Sequence, residues 1–163
     1  MKTKRYTVVR TSIGDLFITA DPDRILRIGT EQPHIATAMR NDTMPLLKAS
    51  AEAIVQYLSG KRTIFPQSLP IRLLPFQRDV FTVVQHIPYG NTATSEEIAR
   101  AIGKPHAVRA VETVCRANPY SIIVPTHRIL VSHTNHSPSE LLYFDEALRR
   151  LEKRHLDKAH KRG

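Results

Sequence analysis

Apolar and polar residues alternate with a short period at the start of the chain, in the runs YTVVRT, LFITA and ILRIGT. Gly14 and the Asp21-Pro22-Asp23 cluster interrupt them, so the segment predicts strands of an antiparallel meander. The period then lengthens. Leu47, Ala51, Ile54, Val55 and Leu58 follow helical spacing, with Pro45 near the start and Gly60 just past the end. The stretch KRTIFPQSLPIRLLP, with Pro66, Pro70 and Pro75, breaks the pattern and predicts a domain boundary, dividing the chain into residues 1–68 and 69–163.

Helical signals dominate after the boundary. Pro75 opens a helix whose stripe is Phe76, Val80, Val83, Val84 and Ile87, stopped by Pro88-Tyr89-Gly90. Thr94-Ser95-Glu96-Glu97 has the capping-box pattern and leads a short helix with Ile98, Ala99 and Ile102 inward and Gly103 at its end. Pro105 starts another helix, reaching Arg116 or Ala117. Two short helices joined by a Gly-Lys-Pro turn have the outline of a helix-turn-helix. On the second of them Val108, Val111, Val114 and Cys115 share one stripe, while Arg109, Thr113 and Arg116 lie on another. A positive outward stripe suits a nucleic-acid groove or, equally, a solvated helix face.

Charge leaves both alternatives open. The 163 residues carry 24 Lys+Arg against 15 Asp+Glu, a formal net charge of +9, which suits an anionic partner such as nucleic acid or a membrane surface and, equally, a solubilising surface. Counted by halves, the excess is +4 up to residue 70 and +5 beyond it, so it is read as spread rather than gathered in a tail. The single cysteine, Cys115, excludes an internal disulfide and any Cys-x-x-Cys metal site, and its apolar stripe marks it as a small core residue. His133 and His136 read as solvated loop histidines, so no metal and no cofactor are expected. MKTKRYTVVR lacks an apolar leader core, and no run is long enough to span a bilayer. A soluble, cytoplasmic protein is the expectation.

Several separated motifs then converge. Leu74-Pro75-Phe76-Gln77, Ile87-Pro88-Tyr89-Gly90, Ala101-Ile102-Gly103-Lys104-Pro105, Ala107-Val108-Arg109-Ala110-Val111 and Asn118-Pro119 precede Ile123-Val124-Pro125-Thr126-His127-Arg128. Their order and spacing resemble the alkylguanine-DNA alkyltransferases, which move an alkyl group from the exocyclic oxygen of guanine onto their own cysteine. The resemblance implies an α+β protein: a ribonuclease-H-like first domain, meander plus helix, and a C-terminal winged helix-turn-helix that enters the minor groove. It gives Arg109 the task of filling the gap left by a flipped guanine, and Asn118 that of organising the turn before the site. Flipping is required because the alkylated edge is inaccessible inside a duplex.

The same resemblance puts Thr126 where the family has its acceptor cysteine, in Pro125-Thr126-His127-Arg128 instead of Pro-Cys-His-Arg. It assigns the base role to His127, the glutamate behind the histidine to Glu152, and the bracing of the site to Arg128. Ser95 stands where the family has a tyrosine that helps rotate the nucleotide, and Glu112 where it favours a small residue. The following HTNHSPSELLYF contains no glycine, unlike the family's glycine-rich loop. A threonine hydroxyl is far less acidic than a thiol and needs a dedicated base. The expectation is therefore a monomer that binds double-stranded DNA and recognises alkylated guanine without accepting the alkyl group, leaving removal to downstream repair proteins. A general DNA-binding or regulatory module with a decayed pocket is the alternative. Transfer to Thr126 or Cys115 is the third reading.

Overall fold

The computed structural model describes residues 2–34, 38–65, 72–131 and 140–163. The chain forms two compact units, the first from residues 1–72 together with 119–121, the second from 73–118 and 122–163. The expected cut between residues 68 and 69 lies outside the described residues, as do Pro66, Pro70, His133 and His136. A single cut also misses the return of Pro119–Ser121 to the first unit.

In the first unit β1 (Arg5–Val9), β2 (Leu16–Ala20) and β3 (Ile25–Gly29) form the expected antiparallel meander. Gly14, at φ +122°, allows the first turn. The second turn is closed by Asp21, whose Oδ1 accepts from the backbone N–H groups of Asp23 and Arg24 at 2.9 and 3.0 Å. Two additions were not predicted: β4 (Met39–Arg40) pairs parallel with β1, giving the order β3-β2-β1-β4. Beyond β3, the Ile28 N–H donates to Pro119 O at 2.7 Å, and Ser121 N–H to Ile28 O at 3.1 Å.

Helix α1 (Pro45–Leu58) packs on β1 and β2, with Pro45 in its first turn. Its buried stripe differs from the expected one. Leu47, Ser50, Ala53, Ile54 and Tyr57 face inward, while Val55 is 52% exposed. Tyr57 has a larger side chain to bury than Val55, and Ser50 enters the stripe because its hydroxyl donates to Leu46 O at 2.7 Å.

The second unit begins with α2 (Pro75–Gln85), which buries Val80, Phe81 and Val84. The pair β5 (Ala93–Thr94) and β6 (Ile129–Leu130) is parallel, Ala93 opposite Ile129 and Thr94 opposite Leu130. Helix α3 (Ser95–Ala101) has the anticipated capping box: Thr94 Oγ1 accepts from Glu97 N–H at 3.2 Å, and Glu97 Oε2 from Thr94 N–H at 2.7 Å. Gly103, at φ +73°, closes α3 as its N–H donates to Arg100 O and that of Lys104 to Ala99 O. Helix α4 (Val108–Arg116) starts three residues later than Pro105 suggested, because Lys104–Ala107 form a turn. It packs on α3 and α2.

The chain then makes a 3-10 turn, Thr126–Arg128, packed against the long helix α5 (Glu140–Lys161). No element was predicted for that C-terminal stretch. Phe144, Leu148 and Leu151, spaced i, i+4 and i+7, are its buried stripe and the signal that would have located it.

Candidate functional site

The 3-10 turn Thr126–Arg128 is held between two fixed elements. Its outgoing strand β6 pairs with β5, immediately before the N-terminus of α3, so the turn is registered to that helix. On the other side it rests on α5 and donates to it. The turn is entered through Ile122, buried at 2% exposure with φ +74°, a conformation that costs a β-branched residue of order 1–3 kcal/mol. Burial of Ile122, Ile123 and Val124 offsets that strain and delivers Pro125 and Thr126 to the end of the turn.

Asn118 organises this arrival. Its Nδ2 donates to Val124 O at 3.0 Å and to Thr126 Oγ1 at 2.9 Å, so the threonine hydroxyl serves as an acceptor. Thr126 is partly exposed, whereas Pro125, His127 and Arg128 are buried. The neighbourhood is therefore ordered around a residue that still reaches the surface.

Behind the turn, Glu152 is 1% exposed and gathers four N–H groups. His127 Nε2 donates to Oε1 at 2.8 Å, Arg128 Nη2 to Oε1 at 2.7 Å, and Arg128 Nε reaches both oxygens at 3.1 and 3.0 Å. The Gly90 backbone N–H donates to Oε2 at 2.9 Å. Arg128 also donates through Nη1 to Ile87 O at 2.7 Å and lies over the Tyr89 ring, 5.5 Å from its centroid. A buried guanidinium and carboxylate are tolerated here because both are paired bidentately and their remaining valences are filled.

Burial drives the His127 imidazole below its ordinary pKa of 6.5; the Glu152 carboxylate pulls it back up, and Arg128 and Arg149 push it down again. Glu152 is already neutralised by Arg128, so His127 is a neutral ring with its proton on Nε2, pointing at Glu152. Arg149 Nη1 donates to the His127 carbonyl at 2.8 Å, which fixes the backbone of the same residue.

Pro88-Tyr89-Gly90 supplies the last wall. A side chain at Gly90 would run into Leu156, and its φ of +80° also favours glycine. Burial, then the Glu152 charge, push the Tyr89 hydroxyl up to about 12, so it stays protonated and donates a hydrogen bond to His155 Nδ1 at 2.8 Å.

The structure thus brings together Asn118, Pro125, Thr126, His127, Arg128 and Glu152. Sequence reasoning gave no role to Gly90, Tyr89 or Arg149; the quoted Ile87-Pro88-Tyr89-Gly90 motif was the available signal for two of them. On α4, Arg109, Thr113 and Arg116 are exposed as the helical pattern required, with Thr113 Oγ1 donating to Arg109 O at 2.9 Å.

Ser95 and Glu112 require a correction. Ser95 has 0% exposure and Glu112 6%, and the Ser95 hydroxyl donates to Glu112 Oε1 at 2.8 Å. Ser95 therefore has no surface to offer DNA in this structure. Glu112 points inward rather than toward a groove, displacing Val114 and Val108, which are only half-buried, from the centre of the stripe. Two polar residues that each look misplaced satisfy one another between α3 and α4. Cys115 lies on the same inward face; burial, with the Glu112 and Asp145 charges, pushes its thiol up to about 12, so it is not a poised nucleophile.

Among the described residues, no three His, Cys, Asp or Glu side chains gather as metal ligands, and no helix is long and apolar enough to cross a membrane.

Residues 75–154 match the family model for the 6-O-methylguanine DNA methyltransferase DNA-binding domain. The constitutive methylated-DNA–protein-cysteine methyltransferase of Bacillus subtilis is 33% identical over 132 residues, spanning 77% of this chain and 79% of that protein. A crystal structure of Mycobacterium tuberculosis O6-methylguanine methyltransferase has a TM-score of 0.81 at 26% identity, covering 94% of both chains. A structure of the M. tuberculosis protein in complex with DNA has a TM-score of 0.76 at 28% identity, covering 93% of this chain and 94% of that one. The α+β fold, with five α-helices and a small four-stranded sheet among the described residues, matches these neighbours.

Proposed function

Because the chain belongs to the methylated-DNA–protein-cysteine methyltransferase family, we propose that it binds double-stranded DNA and recognises alkylated guanine without taking up the alkyl group. The observation that carries this reading is the ordered network of Asn118, His127, Arg128 and Glu152 around Thr126, a residue unable to perform the family's transfer. The names of its relatives describe methylation of a protein cysteine, and in the family motif that cysteine stands where this chain has Thr126.

Chemistry separates recognition from transfer. Uptake of the alkyl group requires an anionic nucleophile, and a thiol with a pKa of about 8.5 can be deprotonated by an imidazole. A threonine hydroxyl is far less acidic than a thiol, the Thr126 Oγ1 is already an acceptor for Asn118 Nδ2, and the residue has no N-terminal amine as base. Recognition makes no such demand. In this reading α3 and α4 form the helix-turn-helix of a winged domain, and the meander unit is ribonuclease-H-like. Arg109, exposed on α4, enters the minor groove and occupies the space of a guanine flipped outward. Arg116 and Thr113 face the phosphates. Lesions that weaken pairing flip more cheaply, which itself confers preference. A monomer acting in the cytoplasm and handing the lesion to other repair proteins completes the proposal.

One observation favours a second reading. The buried Ser95 removes the side chain that in the family helps turn the nucleotide, which suits a DNA-binding module that no longer reads lesions.

Intact-mass measurement after incubation with excess duplex containing O6-alkylguanine tests the absence of transfer. Unchanged mass is expected; a gain equal to one alkyl group overturns the proposal in favour of an enzyme. Binding of the same duplex must accompany the unchanged mass, since failure to bind any duplex at low salt excludes both readings.

A further inference from the structure

The site already described anchors a second feature on α5. Glu152, His155 and Leu156 tie this helix to the Thr126–Arg128 turn and to Tyr89 and Gly90, while every residue from Asp157 onward is exposed. The exposed end is strongly basic. Lys153, Arg154, Lys158, Lys161 and Arg162 stand against Asp157, a net +4 within residues 153–162. Dividing the chain into halves concealed this concentration, which accounts for nearly all of the +5 beyond residue 70.

Spacing aligns the charges. Arg150, Arg154, Lys158 and Lys161 recur at i, i+4, i+8 and i+11, so at about 100° per residue they form one stripe, roughly 16 Å long at 1.5 Å per residue. All four are exposed. Arg150 is paired with Glu146 at 2.5 Å, but no acid among the described residues pairs with Lys153, Arg154, Lys158 or Lys161. The opposite side of the helix, with Phe144, Leu148, Leu151 and Glu152, is buried, so the stripe is held in a fixed orientation before any partner arrives.

We propose that this stripe on the C-terminal half of α5 is a second, sequence-independent contact surface for the phosphate backbone of duplex DNA. The inference rests on the DNA-binding reading above. DNA fits because its phosphates form an anionic row of comparable reach, about five phosphates of one strand at a rise of about 3.4 Å each along the duplex axis. A pre-ordered helix also pays less ordering entropy than a disordered basic tail on engaging that row. The contact adds affinity without information about the base, because phosphates carry no sequence code.

The test compares the full chain with the variant Arg150→Gln, Arg154→Gln, Lys158→Gln and Lys161→Gln. Glutamine keeps helix propensity, and unchanged thermal melting verifies the fold. Affinity for a short undamaged duplex is measured against salt. Each lost phosphate contact lowers the slope of log K on log salt by about 0.9, so the expected drop is about 2–4, with affinity near 0.1 M salt falling at least tenfold. A control with the same charge change on the first unit, Lys4→Gln, Arg10→Gln, Lys48→Gln and Lys61→Gln, is expected to keep most of the slope. An unchanged slope in the α5 variant, or an equal drop in the control, overturns the inference.

The ratio of affinities for alkylated and undamaged duplexes separates this test from the earlier reading. The α5 variant is expected to weaken both duplexes alike. If the wild-type chain binds DNA without preferring the lesion, lesion recognition fails while the stripe stands on the slope. If it binds no duplex, both fall.

Discussion

Replacing Glu152 removes the one group on which the turn, the Pro88–Gly90 segment and α5 converge. Its carboxylate receives His127 Nε2, Arg128 Nε and Nη2, and Gly90 N–H, all within 3.1 Å. Glu152→Ala leaves the Arg128 guanidinium, 5% exposed, with Ile87 O as its only other hydrogen-bond acceptor among the described residues. Breaking a buried pair from one side costs about 3–5 kcal/mol. That is a large share of the 5–15 kcal/mol typical of a whole domain, so the second unit is expected to unfold at much lower urea. Glu152→Gln keeps the shape but presents an amide N–H to a donor, and about 2–4 kcal/mol is expected. Hydrogen exchange at Gly90 reports the local event, because its amide should lose protection in both variants. Adding Arg128→Met to Glu152→Gln removes the stranded cation and should recover part of the loss. A shift below about 1 kcal/mol for Glu152→Ala, with Gly90 protection intact, refutes the account of this network.

Two further predictions concern α4 and α5. Ser95→Ala leaves the Glu112 carboxylate buried without its donor and should cost about 1–3 kcal/mol, whereas Ser95→Ala with Glu112→Ala should cost less than the single change; urea unfolding of the three proteins decides it. Burial pushes the Asp145 carboxyl from 3.8 up to about 6, against the opposing pull of Arg149. The folded state therefore binds the proton more tightly than the unfolded one, and this residue destabilises fully above pH 6, with the penalty relieved as pH falls from about 6 toward 3.8. At 1.36 kcal/mol per pH unit the penalty is of order 1–3 kcal/mol, so Asp145→Asn should raise stability at pH 8 by that order and show little advantage near pH 4. Melting temperature against pH for both proteins is the measurement, and an advantage that persists unchanged to pH 4 contradicts the assignment.

The sequence was most legible where local chemistry decides structure. Gly14 and Asp21 punctuate the meander, and Thr94 with Glu97 caps the start of α3, because turns and caps are settled by the residues themselves. Long-range pairing was hidden: Pro119–Ser121 adds to β3 from far along the chain, and two-residue strands such as β4 leave no periodic trace. The stripe of α1 was rotated toward Val55 because period alone cannot weigh Tyr57 against its neighbours. Within the site, Thr126, His127 and Arg128 stand together in sequence, but Glu152 became visible only through family resemblance, since nothing local links it to the turn. The burial of Ser95 and Glu112 was not legible in the sequence for a physical reason: each is polar, and only the folded contact between them satisfies both inside the protein. The basic end of α5 was missed because charge was averaged over half a chain.

An ordered site without an acceptor cysteine is proposed to read damaged guanine still. The most direct test is equilibrium affinity at fixed salt for two duplexes identical except for one O6-methylguanine, with wild-type protein and Arg109→Ala. Wild type should bind the lesion duplex at least tenfold more tightly, a difference of about 1.4 kcal/mol, and Arg109→Ala should lose that preference. Equal affinity of the wild-type protein for the two duplexes contradicts lesion recognition.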